Sequence, residues 1–165
     1  MPLIKNGAFE EDKWVRVEDG ADLPADAPVL VSLARWQEDR DALAGRNAPV
    51  GVKLASSDVP EAIADDLDRL QLVALDFPAF KDGRGYSYAR LLRERYGYEG
   101  EIRATGDVLR DQWLFMARCG INAFEVPDGT TLDAFEQALG EFTHVYQPTG
   151  DGRPTVLQLR HGTAA

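Results

Sequence analysis

The sequence predicts a single α/β domain, built from sequential βα units around a mostly parallel sheet. Three observations carry that expectation. Apolar runs rich in Val, Leu and Ile alternate with amphipathic stretches of about ten to fourteen residues, the signature of βαβ units. The runs recur at near-constant spacing, which favours strands laid down in chain order, so that the sheet resembles part of a TIM barrel; a flavodoxin-like open sheet is the alternative. The length, 165 residues, suits one core and is short of a closed eight-stranded barrel.

Residues 1–20 form the first element, an N-terminal β flap. Positions 3 to 18 read as short antiparallel strands turning at Asn6-Gly7, a dipeptide suited to a two-residue hairpin loop. The stretch from Asp19 to Pro28 is the softest boundary. The βα core, residues 28–147, then runs PVLVSL with WQEDRDALAG, PVGVKLA with VPEAIADDLDRL, LVALDF with YSYARLLRERYG, EIRATG with DVLRDQWLFMARCG, and NAFEV with TLDAFEQALGEF, closing on HVYQP. In the third helix Tyr88, Leu92 and Tyr96 fall on one line beside Leu91. In the fourth, Leu109, Trp113 and Met116 form one line and Val108, Phe115 and Cys119 a second, so burial on two sides is expected. Gly97 and Gly120 stand at helix C-cap positions. The tail, residues 148–165, is turn-rich with one further strand expected at TVLQLR. An open sheet of this kind leaves edges that the N-terminal flap or a homodimer would cover.

Composition narrows the function. With 44% hydrophobic and 28% charged residues the chain reads as globular, without an apolar membrane span or a leader pattern, and is expected in the cytoplasm. One cysteine, Cys119, and two separated histidines, His144 and His161, cannot assemble a structural zinc site or an iron–sulfur cluster. A formal charge of -10 disfavours nucleic acid and acidic membrane surfaces as partners, leaving small molecules and proteins. From Phe77 to Val126, however, eight Lys and Arg meet seven Asp and Glu, a net of +1, so the rest of the chain carries -11. An acidic body around an arginine-rich centre suits admission of a small anion.

Two constellations stand out. Strands buried on both faces exclude unexplained charge, yet Lys53, Asp76, Arg103 and Glu125 lie in four successive strand patterns and Gln147 in a fifth, separated by 23, 27, 22 and 22 residues. Such spacing puts one polar group toward the carboxyl end of each strand, where α/β proteins bind ligands. Asp76, Arg103 and Glu125 are therefore the candidate catalytic groups, with structural ion pairs Lys53–Asp76 and Arg103–Glu125 as the alternative. The second constellation is KDGRGYSYAR, residues 81 to 90. Gly83, Arg84, Gly85 and Ser87 would bind an anion at the start of the Tyr86 helix; otherwise the two glycines simply form a turn at positive φ. The third glycine of a dinucleotide fingerprint is missing. Lys53, Asp107 and Arg110 are further candidates, with Asp107 equally suited to an N-cap. Phe77, Phe80, Tyr86 and Tyr88 would flank a flat ligand such as a flavin or pack the core, and no cofactor is specified.

The stretch FPAFKDGRGYSYARLLRERYGYEGEIRATGDVLRDQWLFMARCGINAFEV resembles the central block of bacterial domain-of-unknown-function family 934. The motifs DGRGYS, ATGDVLRDQ and MARCG stand at Asp82 to Ser87, Ala104 to Gln112 and Met116 to Gly120, and the likeness extends more loosely from MPLIKNG to the YQPTGDGRPTVLQLR tail. The resemblance implies an oxidoreductase or accessory component of sulfite reduction, with sulfite reductase or another sulfate-assimilation protein as partner. Six-electron reduction of sulfite requires a haem or metal centre, so a chain with these few ligands would work beside the haem subunit. It would do so either as a ligand-binding enzyme component or as a non-catalytic protein docking onto the reductase.

Overall fold

The parallel strands of the computed structural model, which describes residues 1–162, follow one another across the sheet in chain order. They are β3 (Val15–Arg16), β4 (Val29–Ser32), β5 (Val50–Leu54), β6 (Leu72–Phe77), β7 (Glu101–Gly106) and β8 (Ala123–Glu125). Two short strands, β1 (Leu3–Lys5) and β2 (Ala8–Glu10), add an antiparallel hairpin beyond β8, giving the order β2-β1-β8-β7-β6-β5-β4-β3. No strand order is switched, so the flavodoxin-like alternative is not what forms. Asn6 and Gly7 both take positive φ, 50° and 82°, as a two-residue hairpin with right-handed strand twist requires.

The sheet is curled into a half-barrel. In a flat sheet β3 and β8 would stand about 24 Å apart, five spacings of about 4.8 Å, yet the Arg16 guanidinium of β3 donates to the Glu125 carboxylate of β8. Only curvature brings them together. The N-terminal segment exploits it: β1 pairs with β8 at one edge, residues 11–14 cross the concave face, and β3 pairs with β4 at the other edge. The expected flap is thus a strap, and it covers both edges of the parallel sheet.

Apart from the last, which buries no residue, the helices pack on the convex face. They are α1 (Leu33–Glu38), α2 (Arg40–Ala44), α3 (Arg84–Arg90, continuing as a π turn, Leu91–Arg95), α4 (Trp113–Arg118), α5 (Leu132–Leu139) and α6 (Val156–His161). The second βα unit, Pro60–Arg69, is wound as 3₁₀ turns instead of the expected α-helix. Alternation sends Val29, Val31, Val52, Leu54, Val73, Leu75, Phe77, Ile102, Ala104, Phe124 and Val126 toward these helices, into a core with Trp36, Ile63, Leu92, Met116 and Phe135. Burying such side chains supplies about 1.5–3 kcal/mol each. Phe115 departs from the two-sided burial expected of α4 and is exposed.

Two expected strands do not form. HVYQP contributes only a single bridge, Val145 to Thr155, so Gln147 does not extend the row of strand-end groups. TVLQLR is α6, because Thr155 Oγ1 accepts from Gln158 N while Gln158 Oε1 accepts from Thr155 N. That reciprocal capping box fixes a helix start. Among the described residues no helix is long and apolar enough to cross a membrane.

Candidate functional site

The other set of alternating side chains lines the concave face, and it is polar. Strand register arranges it in levels. Leu30, Gly51, Leu72 and Glu101 are aligned across β4 to β7, and the next level holds Ser32, Lys53, Ala74, Arg103, Ala123 and, on β1, Lys5. Asp76 pairs with Thr105 one level further on, toward the carboxyl ends. A Cβ on Gly51 would lie 2.9 Å from Leu72 Cβ, so only glycine lets β5 and β6 lie this close at the floor.

Arg103 is at the centre of a buried network. Its side chain is 1% exposed; Nε donates to Glu101 Oε1 at 2.7 Å, Nη1 lies 3.0 Å from Asp12 Oδ2 and 3.6 Å from Glu125 Oε1. Lys5 Nζ completes the cluster 2.9 Å from Glu101 Oε2. Burial opposes the Arg103 charge, but attraction and hydrogen bonding to Glu101 and Asp12 outweigh it and hold its pKa above the ordinary guanidinium value. The Lys5 pKa is raised as well, first by its hydrogen bond to Glu101 and against the cost of burial. The sequence spacing puts Asp76, Arg103 and Glu125 toward the carboxyl ends of their strands, and in the structure all three lie on the concave face. Arg103 reaches Glu125 but its ion pairs do not include Asp76, which is held by Lys53 instead. It also stands third of the six residues of β7, mid-strand, rather than at the carboxyl edge.

Lys53 and Asp76 form the open part of the row. Their charged atoms are 2.7 Å apart, with side chains 40% and 22% exposed, and Thr105 Oγ1 donates to Asp76 Oδ1 at 3.4 Å. Both line a cleft of about 420 Å³ at the carboxyl ends of β4, β5 and β6, between the α1 start and the strap residues Arg16 to Asp19. Ser32 joins its walls. The hydroxyl donates to Asp19 at 2.6 Å and accepts the Arg35 amide at 3.0 Å, capping α1 and tying the strap to β4. Asp58 closes the far side and accepts from Ala55 N at 2.8 Å. The two cations at the cleft, Lys53 and Arg16, are already paired, to Asp76 and Glu125.

The other sequence candidates lie elsewhere. Arg84 forks onto Asp82, Nε to Oδ1 at 2.9 Å and Nη2 to Oδ2 at 2.6 Å, and donates to Ser56. The hydrogen bond from Arg84 pulls the Asp82 pKa far below the usual carboxylate range. The helix begins at Arg84 rather than Tyr86 and leaves Ser87 on the outer surface beside Arg90 and Glu94. Neither Gly83 nor Gly85 takes positive φ. A Cβ on Gly85 would stand 2.5 Å from the Phe77 ring, so this glycine is a packing requirement. Phe77 and Tyr86 meet edge to face at 5.3 Å in the core, and burial raises the Tyr86 pKa to about 12. Asp107 is no N-cap: its amide bonds Phe77 O at 2.7 Å, and the turn before α4 starts from Leu109, capped by Gln112. Arg110 is exposed on that turn. Cys119 packs partly buried against the core, and burial raises its thiol pKa.

Lys5, Asp12, Trp14, Arg16, Ser32 and Glu101 are polar or aromatic residues of the concave face that sequence reasoning did not single out. Glu101 was within reach, since it stands two positions before Arg103 and strand alternation puts both on one face. The strap residues were not, because their partners lie across a curvature that only tertiary structure supplies. Among the described residues no group of three or more His, Cys, Asp or Glu is placed to hold a metal ion.

These features define an α/β half-barrel whose concave face is charged, strapped on one side and open at the carboxyl ends of three strands. A family model described as "Bacterial protein of unknown function (DUF934)" matches residues 51–157, and the chain belongs to that family. No curated protein matches the chain.

Proposed function

We propose that the protein takes part in sulfite reduction as an oxidoreductase component that binds a small polar ligand in the Lys53–Asp76 cleft, working in the cytoplasm beside the haem subunit. The tie to sulfite reduction comes from the family resemblance of the DGRGYS, ATGDVLRDQ and MARCG motifs. One structural observation carries the choice of site: of the charged pairs in the strand-end row, Lys53–Asp76 opens on a cleft, whereas Arg103 and Glu125 are buried. We read the half-barrel as an analogue of part of a TIM barrel, and in barrels the carboxyl ends of the strands carry the chemistry. Lys53 supplies an ammonium for an anionic group of the ligand. Asp76 and Ser32 supply acceptors and a hydroxyl for its polar remainder, so anionic ligands with hydroxyl or amino groups fit better than a bare oxyanion.

A second reading, a non-catalytic protein docking onto sulfite reductase, is favoured by a different observation. Phe115, Phe142 and Tyr146 are all exposed, Tyr146 to 82%, around an open apolar cavity between α4 and residues 142–147. Exposed aromatic clusters of this kind mark protein contacts.

Deletion of the gene in its host tests the shared premise. Growth should fail with sulfate as sole sulfur source and recover with cysteine, and the wild-type gene should restore growth on sulfate. Unimpaired growth of the deletion strain on sulfate contradicts the proposal.

A further inference from the structure

The Lys53–Asp76 cleft carries more negative charge than positive. Its lining holds two cations, Lys53 and Arg16, against four carboxylates, Glu18, Asp19, Asp58 and Asp76, a net of −2. Both cations are already paired, Lys53 with Asp76 and Arg16 with Glu125, which lies outside the lining. Arg35 and Arg84, which donate to Ala21 and Ser56 beside its walls, are likewise paired, to Asp39 and Asp82. Asp19 and Asp58 receive only uncharged donors among the described residues, the Ser32 hydroxyl and the Ala55 amide. Such a field repels a ligand that is purely anionic and attracts one that brings a positive group.

The order of groups along the mouth gives that positive group its place. Ser32 and Lys53 are register partners on adjacent strands, about 4.8 Å apart, and the Ser32 hydroxyl gives its single proton to Asp19. One strand therefore offers acceptors, Asp19 and Ser32 Oγ, and the next offers an ammonium. Lys53 has three N–H donors, so it can hold Asp76 and a second anion together. A metal ion suits this arrangement poorly: among the described residues no three carboxylates converge as metal ligands, and Lys53 stands in their midst. We infer that the cleft takes a zwitterion of the α-amino acid kind, its ammonium against Asp19 and Ser32 and its carboxylate on Lys53. At about 420 Å³ the cleft has room for a polar side group beyond the two charges. This inference rests on the reading of the cleft as the site and narrows the class of its ligand.

The test titrates the full chain with three matched probes: L-asparagine, which carries both charges; 3-aminopropanamide, which lacks the carboxylate; and succinamate, which lacks the ammonium. Backbone amide shifts at Ser32, Lys53 and Asp76 locate the binding. L-Asparagine should bind there roughly tenfold tighter than either single-charge probe. Lys53→Met should erase its advantage over 3-aminopropanamide, and Asp19→Asn its advantage over succinamate. A single-charge probe that matches L-asparagine in wild-type protein overturns the inference, as does failure of all three to shift these amides. Binding of succinamate alone overturns the zwitterion and leaves the cleft an anion site. Growth of the Lys53→Met strain on sulfate, by contrast, overturns the reading of the cleft beneath it. Should Asp19→Asn fail to fold, the wild-type ranking of the three probes decides.

Discussion

Lys53 and Arg103 stand on the same level of the sheet, two strands apart with Ala74 between them, and they meet opposite environments. Arg103 lies under the strap, buried among Glu101, Glu125 and Asp12; Lys53 lies beyond the strap in an open cleft with Asp76. What separates them is the cover, since both are cations on one face of the same sheet at the same level. A charge inside a strand pattern therefore signals a polar sheet face. Whether it becomes scaffold or site depends on which part of that face another segment seals.

Breaking the sealed half should cost the most. Arg103→Leu leaves Glu101 and Glu125 buried with fewer cations, and stability should fall by about 3–5 kcal/mol, measured as the urea midpoint of unfolding. A loss below about 1 kcal/mol would deny Arg103 its scaffold role. The floor between the two halves is next. Gly51→Ala puts a methyl 2.9 Å from Leu72 Cβ, and overpacking of this kind should cost about 1–3 kcal/mol; an unchanged midpoint would show that β5 and β6 separate easily.

Alkali should sharpen the contrast with a smaller effect. The folded Lys5 pKa is raised above its ordinary value of 10.5, so its contribution is complete below that pH and is lost as pH rises through the folded pKa. Urea midpoints should fall above pH 10.5 more steeply for wild type than for Lys5→Met. Parallel curves would show that Lys5 does not sustain the network.

The strand order and the polar row were legible because both rest on local pattern. Val-rich runs at regular spacing set the sheet, and a charge recurring about once per βα unit marked the concave face. The row's division was not legible, because Asp12 and Arg16 come from a segment far away in sequence, 91 and 109 positions from their partners Arg103 and Glu125. At Arg84 the local pattern misled: glycines next to an arginine suggest an anion loop, but Asp82, two residues earlier, already takes the guanidinium. In TVLQLR the β-propensity of Thr155 and Val156 outweighed a signal that was present, the Thr155 and Gln158 spacing of a capping box.

The smallest expected effect on stability belongs to the open half, and it tests the central claim that Lys53 belongs to the site and Arg103 to the scaffold. A partly exposed ion pair contributes about 0–1 kcal/mol, so Lys53→Met should melt within a few degrees of wild type. The decisive measurement is complementation of the deletion strain by Lys53→Met with sulfate as sole sulfur source, with the variant shown to be folded and expressed at the wild-type level. The account predicts that growth is lost. Growth at the wild-type rate would contradict it and remove the Lys53–Asp76 cleft as the functional site.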